Sequence, residues 1–273
     1  MSTKKKPDYV TSPLLRCGPT KFGVDASRKM STANKHSYLT SSLLLCGPLS
    51  SITYIVWNDI FAVGLWGGRY SRTQQAISEL SSVGAPSRDI LVPWFTITYS
   101  TLVLAFGLGL RRAADTIAET TAQLRALLVT SNLIVVYALM GPLWLPFPMT
   151  RREDIIIALQ NDTIQKSFAM MTIEDFYHLV LSGVSVTIWV GVVLFPRKVF
   201  SGPFEAYSLA TVGLIMASGM ITGYQGSLLA EGKPTPILGL AERVMFASFF
   251  LWMCVITHAI FAAMEKAAAQ KED

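Results

Sequence analysis

The sequence predicts an all-α, polytopic membrane protein, a bundle of six transmembrane helices. Three observations carry this. Only 15% of the 273 residues are charged and 51% are hydrophobic, whereas a soluble domain carries about a quarter charged residues and needs them to cover its surface. Six apolar stretches are each long enough to cross a hydrocarbon layer of about 30 Å, which takes roughly 20 residues at 1.5 Å each. No strand-length window alternates polar and apolar residues as a membrane barrel would. In lipid every backbone amide must find its partner within its own segment, so these stretches are helices.

In chain order the expected spans are Leu39–Gly64, Ile90–Leu110, Ala126–Phe147, Phe176–Phe195, Tyr207–Ala230 and Val244–Met264. The first carries Asn58 and Asp59, so it either continues to Gly64 or stops at Asp59, and Cys46-Gly47-Pro48 offers a second point of interruption. In the fifth span Gly219, Gly223 and Ser227 repeat every four residues, a spacing that lets another helix approach closely, inside the bundle or in a homo-oligomer. The loops Trp66–Asp89 and Pro148–Asp175 are too short to fold as domains and can only cover the bundle. In the second, Arg151-Arg152-Glu153-Asp154 precedes Ile155, Ile156, Ile157 and Leu159, the pattern of a short helix lying at the interface or capping the bundle.

The chain thus divides into a basic, disordered arm at 1–38, a membrane domain at 39–264 and a short tail at 265–273. An even number of spans puts both termini on one face. That face holds 15 of the 23 Lys and Arg residues and the other holds 8, so the positive-inside rule makes the termini cytoplasmic. The acceptor triplet Asn161-Asp162-Thr163 falls on the opposite, extracytoplasmic side, where Asn161 is a candidate for glycosylation. Membrane lipid is the expected partner, with anionic head groups a second one for the arm's Lys4, Lys5, Lys6, Arg16, Lys21, Arg28, Lys29 and Lys35. Nucleic acid is not expected.

No cofactor or metal site is expected. There is no His-Glu-x-x-His, no phosphate loop and no Gly-x-Ser-x-Gly. Two of the three histidines, His178 and His258, belong to opposite ends of their spans, because about fifteen residues separate His258 from Arg243 and place it roughly 22 Å deeper. Cys46, Cys254 and His258 lack the carboxylate or further ligand that a zinc site needs.

The polar residues that remain gather on the extracytoplasmic edge. Asp59 ends the first span, Glu79 lies in the following loop, Glu174, Asp175 and His178 open the fourth span, and Glu242 with Arg243 opens the sixth. Ionisable groups beside hydrocarbon cost several kcal/mol unless paired or hydrated, so their convergence marks a candidate site. Glu174 and Asp175 stand four and three residues before His178, which suits a general acid/base pair, half a metal site or a head-group contact. It equally suits acidic residues favouring a helix start. Gln225 lies near enough to extend the network.

The run Arg69-Tyr70-Ser71, then Gln75-Ala76-Ile77-Ser78-Glu79-Leu80, with Gly84, Pro86 and Arg88, resembles the loop after the first helix in the membrane family called domain of unknown function 998. His178, Gly239-Leu240 with Glu242-Arg243, and Trp252 are similar to that family's pattern, and the resemblance spans Leu43 to Ala263. It implies a six-helix bundle and no particular activity. The same loop is faintly similar to the Frag1/DRAM/Sfk1 group, whose members are linked to lipid organisation, although that group's acidic and aromatic context is missing. The leading expectation is a protein that binds or organises a lipid or small amphiphile through Glu79, His178, Glu242, Arg243 and Asp59. The alternatives are a membrane-embedded lipid hydrolase using His178 with Glu174 or Asp175, with or without a metal, and a small-solute transporter.

Overall fold

The structure, a computed structural model, describes residues 21–160 and 172–270. The chain divides into two units, Met1–Tyr38 and Leu39–Asp273. In the first, the described residues are helical from Lys21, within the stretch expected to be a disordered arm. Asn161 lies outside the described residues, as do Cys17 and the arm up to residue 20.

Among the described residues six helices are long and apolar enough to cross a membrane. They are α1 (Tyr38–Leu65), α2 (Arg88–Ile117), α3 (Thr121–Trp144), α5 (Ile173–Lys198), α6 (Pro203–Ala230) and α7 (Leu238–Ala269), with a short loop helix α4 (Arg152–Gln160) between the third and the fourth. Between 22% and 44% of each apolar window is buried inside the bundle. The rest faces outward as Leu45, Ile52, Ile97, Leu139, Leu214 and Leu251, a surface that water would penalise and hydrocarbon does not. The chain is therefore an integral, multi-pass membrane protein, and its all-α class is as the composition requires.

Asn58 and Asp59 do not end the first span. They sit in a π-helical segment, Val56–Ala62, after which the helix continues to Leu65. Asn58 stays buried by donating its Nδ2 to the Tyr54 carbonyl at 3.1 Å. Nor does Cys46-Gly47-Pro48 break the helix, which runs through Pro48. Ser50 and Ser51 both donate to the Gly47 carbonyl, at 2.7 and 3.3 Å. A second π segment, Leu91–Phe95, surrounds Pro93 near the start of α2, where the missing proline amide leaves the ordinary ladder incomplete.

Aromatic rings fill the bundle interior. Trp189 of α5 stacks on Phe249 of α7 with centroids 4.6 Å apart and planes 8° from parallel. Tyr54 of α1 meets Phe95 and Tyr99 of α2 at 5.4 and 5.6 Å and stacks on Phe246 at 4.6 Å. Trp252 is fully buried, and its indole donates to Ser208 Oγ of α6 at 3.0 Å, so the ring's one polar atom is satisfied where no water can reach it.

The face that α6 turns inward carries Ser208, Thr211, Ile215, Ser218, Gln225 and Leu229. Of the small-residue stripe, Gly219 is in contact range of Met245 at 3.8 Å, while Gly223 has nothing within 4 Å and Ser227 is exposed. Within the chain, only its first member packs against α7.

Helices α1 and α2 approach closely. A Cβ on Gly109 would lie 2.8 Å from both Leu43 Cβ and the Leu44 amide nitrogen, and one on Gly47 would meet the Phe106 ring at 2.7 Å. Because Gly109 faces backbone, which cannot swing aside, Gly109→Val is expected to destabilise the bundle by about 1–3 kcal/mol. Gly213→Ala, with nothing within 4 Å, should change little. Thermal unfolding in micelles, followed by tryptophan fluorescence, measures both.

Candidate functional site

A loop reaching from α1 to α2 folds over one end of the bundle and is fastened there. The chain leaves α1 through Gly67 and Gly68, whose φ angles of 58° and 81° are left-handed values that side chains disfavour. The loop then turns through a 3₁₀ segment, Ile77–Ser81. Glu79 holds that turn from within, accepting from the Ala76 amide at 2.9 Å and from Gln75 Nε2 at 3.0 Å. Gln75 in turn accepts from the Ser71 amide at 2.7 Å. Behind the turn, the buried Trp66 indole donates to Ser87 Oγ at 3.1 Å, and Ser87 donates to the Leu80 carbonyl at 2.5 Å.

The start of α7 receives this loop. Free amides in a helix's first turn need acceptors, and the Leu240 amide finds one in the Thr73 carbonyl at 3.1 Å. Gly239 permits the contact, since a Cβ there would collide with the Gln75 and Arg72 carbonyl oxygens. Glu242 points back and accepts from the Ile77 amide at 2.5 Å. Arg243 makes the widest set of bonds. Its Nε donates to Asp59 Oδ1 at 2.7 Å, its Nη1 to the Arg72 and Gly239 carbonyls at 2.9 and 3.1 Å, and its Nη2 to the Tyr70 hydroxyl at 3.2 Å. Tyr70 donates onward to the carbonyls of Gln75 and Ala76, at 3.0 and 2.8 Å.

The second loop locks onto the first. Arg152 at the head of α4 donates to the Gln74 carbonyl at 2.7 Å and forms an ion pair with the buried Glu79 at 3.3 Å. Thr235 adds a bond to the same carbonyl at 3.1 Å. Ala76, Leu229 of α6 and Leu238 of α7 form a small apolar plug, with Ile155 of α4 packed on it. Of the two placements expected for this helix, at the interface or capping the bundle, Ile155 takes the capping one while Ile157 faces outward. Gln225 joins as expected, its Oε1 accepting from the Ile237 amide at 3.4 Å.

The residues singled out from the sequence separate into two groups. Asp59, Glu79, Glu242 and Arg243 converge on the latch. His178 does not touch them. Its Nδ1 bonds the Phe147 carbonyl at 2.8 Å and its ring stands edge-on to Trp144 at 4.7 Å.

Of the two readings open for Glu174, Asp175 and His178, a pair with the histidine or an acidic helix start, no hydrogen bond joins His178 and Asp175. Both oxygens of Asp175 are engaged elsewhere, Oδ1 by the Thr150 amide at 2.7 Å and Oδ2 by the hydroxyls of Thr150 and Thr172 at 2.7 and 2.9 Å. Asp175 is the inner half of a capping box that starts α5 and ties the second loop to it. Glu174 makes no side-chain hydrogen bond among the described residues. No group of three or more His, Cys, Asp or Glu able to hold a metal occurs among them either, and His258 is exposed on the outer side of α7.

Sequence reasoning missed Tyr70, Arg152 and Thr150 as members of this network. Tyr70 stood in the very motif that signalled the loop. Arg152 and Thr150 had no local signal, because their partners lie 73 and 25 residues away.

Six apolar helices under a hydrogen-bonded loop cap define a polytopic all-α membrane bundle. The chain belongs to the family described as protein of unknown function (DUF998), whose model matches residues 48–259. No curated protein and no solved structure matches it.

Two expectations follow from the latch. Arg243→Leu leaves Asp59, two loop oxygens and the Gly239 carbonyl without this donor, and is expected to weaken cap closure by about 2 kcal/mol. Amide exchange over residues 70–80 should then accelerate severalfold while the amides of α3 keep their protection. Burial raises the Tyr70 hydroxyl above its ordinary value of 10.0, against the lowering pull of Arg243. The closed cap holds that proton more tightly than the open loop, so the stabilisation is whole below pH 10 and is lost as pH rises beyond it. The same exchange measurement at pH 8 and pH 11 checks the direction, and Tyr70→Phe should flatten the difference.

Proposed function

We propose that this protein binds or organises membrane lipid, or a small amphiphile, at its capped face, as a binding module without chemistry of its own. The observation that carries this reading is that Asp59, Glu79, Glu242, Arg243 and Arg152 are committed to one another and to loop backbone. Groups so engaged hold a shape. Around them stands a rim of outward-facing apolar and aromatic side chains, including Ile60, Phe61, Trp94, Phe176 and Tyr177. Large rings of this kind favour the boundary between head groups and hydrocarbon. Asp59, Glu79, Glu242 and Arg243 shape the surface from behind. His178, with Phe147 and Tyr177 beside it at a ring separation of 4.9 Å, contributes to its edge. The distribution of Lys and Arg supports a cytoplasmic location for both termini and an extracytoplasmic one for the cap.

The hydrolase alternative draws little support from a histidine whose neighbouring carboxylate is occupied by two threonines. The transporter alternative draws little support from an interior filled by the stacked rings of Trp189, Phe249 and Trp252.

Photoactivatable phospholipid offered to the full chain in bilayer discs tests the reading. Crosslinks are expected to concentrate near Trp94, Phe176 and Tyr177, and to fall severalfold in Arg243→Leu. Labelling spread evenly over all outward faces would overturn it. So would lipid hydrolysis by the purified protein that His178→Ala abolishes.

A further inference from the structure

At the end of the bundle opposite the cap, a cleft of about 230 Å³ opens between the start of α3 and the end of α5. Ala122, Arg125, Ala126 and Val129 line one wall, and Phe195 and Lys198 the other. The first four recur at the spacing of a single helix face. A turn further in, Gly191 of α5 lets α3 come close, since a Cβ there would lie 2.9 Å from Leu133 Cδ1. The two helices are therefore in close contact just below the cleft.

The cations at this end differ in what they hold. Arg111 donates to Asn132 at 3.1 Å, Arg112 to Thr40 at 3.5 Å, and Arg197 pairs with Glu205 at 2.6 Å. Arg125 and Lys198 have no ion pair or side-chain hydrogen bond among the described residues, and both are exposed. Among the described residues, then, neither cation lining the cleft has a protein partner; Lys266 at the end of α7 is likewise unpaired but does not line this cleft. Beneath them the floor is alanine, valine and phenylalanine, and along the same side of α3 the outward Val136 continues the apolar surface toward the middle of the span.

We propose that this cleft is a binding site for an anionic phospholipid, with Arg125 and Lys198 on the phosphate and an acyl chain lying along Val129 and Phe195. A guanidinium can take two phosphate oxygens at once and an ammonium a third. The position suits a head group, because Arg125 lies in the first turns after the helix start at Thr121, and Lys198 closes the last turn of α5. Apolar lining beside the cations suits a ligand that is charged at one end and oily at the other, which distinguishes a lipid from a free phosphate. The site is separate from the cap, and each stands if the other fails.

Native mass spectrometry of the full chain released from micelles tests this with three probes: phosphatidylglycerol, phosphatidylcholine and glycerol 3-phosphate. Phosphatidylglycerol should be retained in preference to phosphatidylcholine, and glycerol 3-phosphate hardly at all. The double variant Arg125→Gln/Lys198→Gln should lose roughly 30-fold in phosphatidylglycerol affinity, the effect of removing two cations at a membrane surface. Exchanging the pair, Arg125→Lys with Lys198→Arg, should restore most of it. Lys266→Gln, which removes an exposed cation at the end of α7, should leave retention unchanged. Equal retention of the two lipids, an undiminished affinity in the double variant, or a matching loss in Lys266→Gln would each overturn the proposal. Tight binding of glycerol 3-phosphate would reassign the cleft to a soluble phosphate. An unchanged unfolding temperature in both doubles confirms that the exposed substitutions leave the fold intact.

Discussion

The Arg243 guanidinium is the contact on which the capped end depends. A loop laid over the end of a helical bundle loses water from part of its backbone, and each buried carbonyl then needs a donor. Arg243 supplies donors to the carbonyls of Arg72 and Gly239, to the Tyr70 hydroxyl and to the Asp59 carboxylate. A lysine there would bring three donors from one point and could not fan them across such a set. Asp59 offsets the charge, and the π segment in α1 places it at the edge of the bundle instead of in its lipid-facing wall.

The cap and the transmembrane core solve the same problem by different means. In the core the helices bond their own backbone, and side chains need only fill space, which the rings of Tyr54, Trp189, Phe246 and Phe249 do. Serine and threonine hydroxyls there bond carbonyls one turn back, as Thr130 does with Ala126 and Thr257 with Met253. In the cap the backbone is irregular, so polar side chains take over the role of the helix ladder. Glu79 and Glu242 serve loop amides in this way, which accounts for two buried carboxylates at the edge of an apolar bundle.

Sequence alone carried the number of spans, because crossing a bilayer demands length and oiliness that nothing else in the chain imitates. It also brought Asp59, Glu79, Glu242 and Arg243 to one face, since topology fixes which loops share a side. It did not distinguish a latch from a reactive site. Glu174, Asp175 and His178 follow the spacing of an acid/base pair and equally that of a capped helix start, and Thr150, 25 residues before Asp175, decided between them. The glycine repeat in α6 was only partly legible for a related reason. Spacing states that a face is smooth without stating whether a neighbouring helix lies against it, and Gly223 has nothing of this chain within 4 Å.

The latch joins residues far apart in the chain, with Asp59 and Arg243 separated by 184 positions and Ile77 and Glu242 by 165. During synthesis the first loop is made four helices before its clasp exists. Until the final segment enters the bilayer, the carbonyls of Arg72 and Thr73 and the Ile77 amide must remain solvated, and the early bundle carries an open lip. Closure therefore reports completion: only a chain whose last helix has inserted in the correct direction can seal its own first loop.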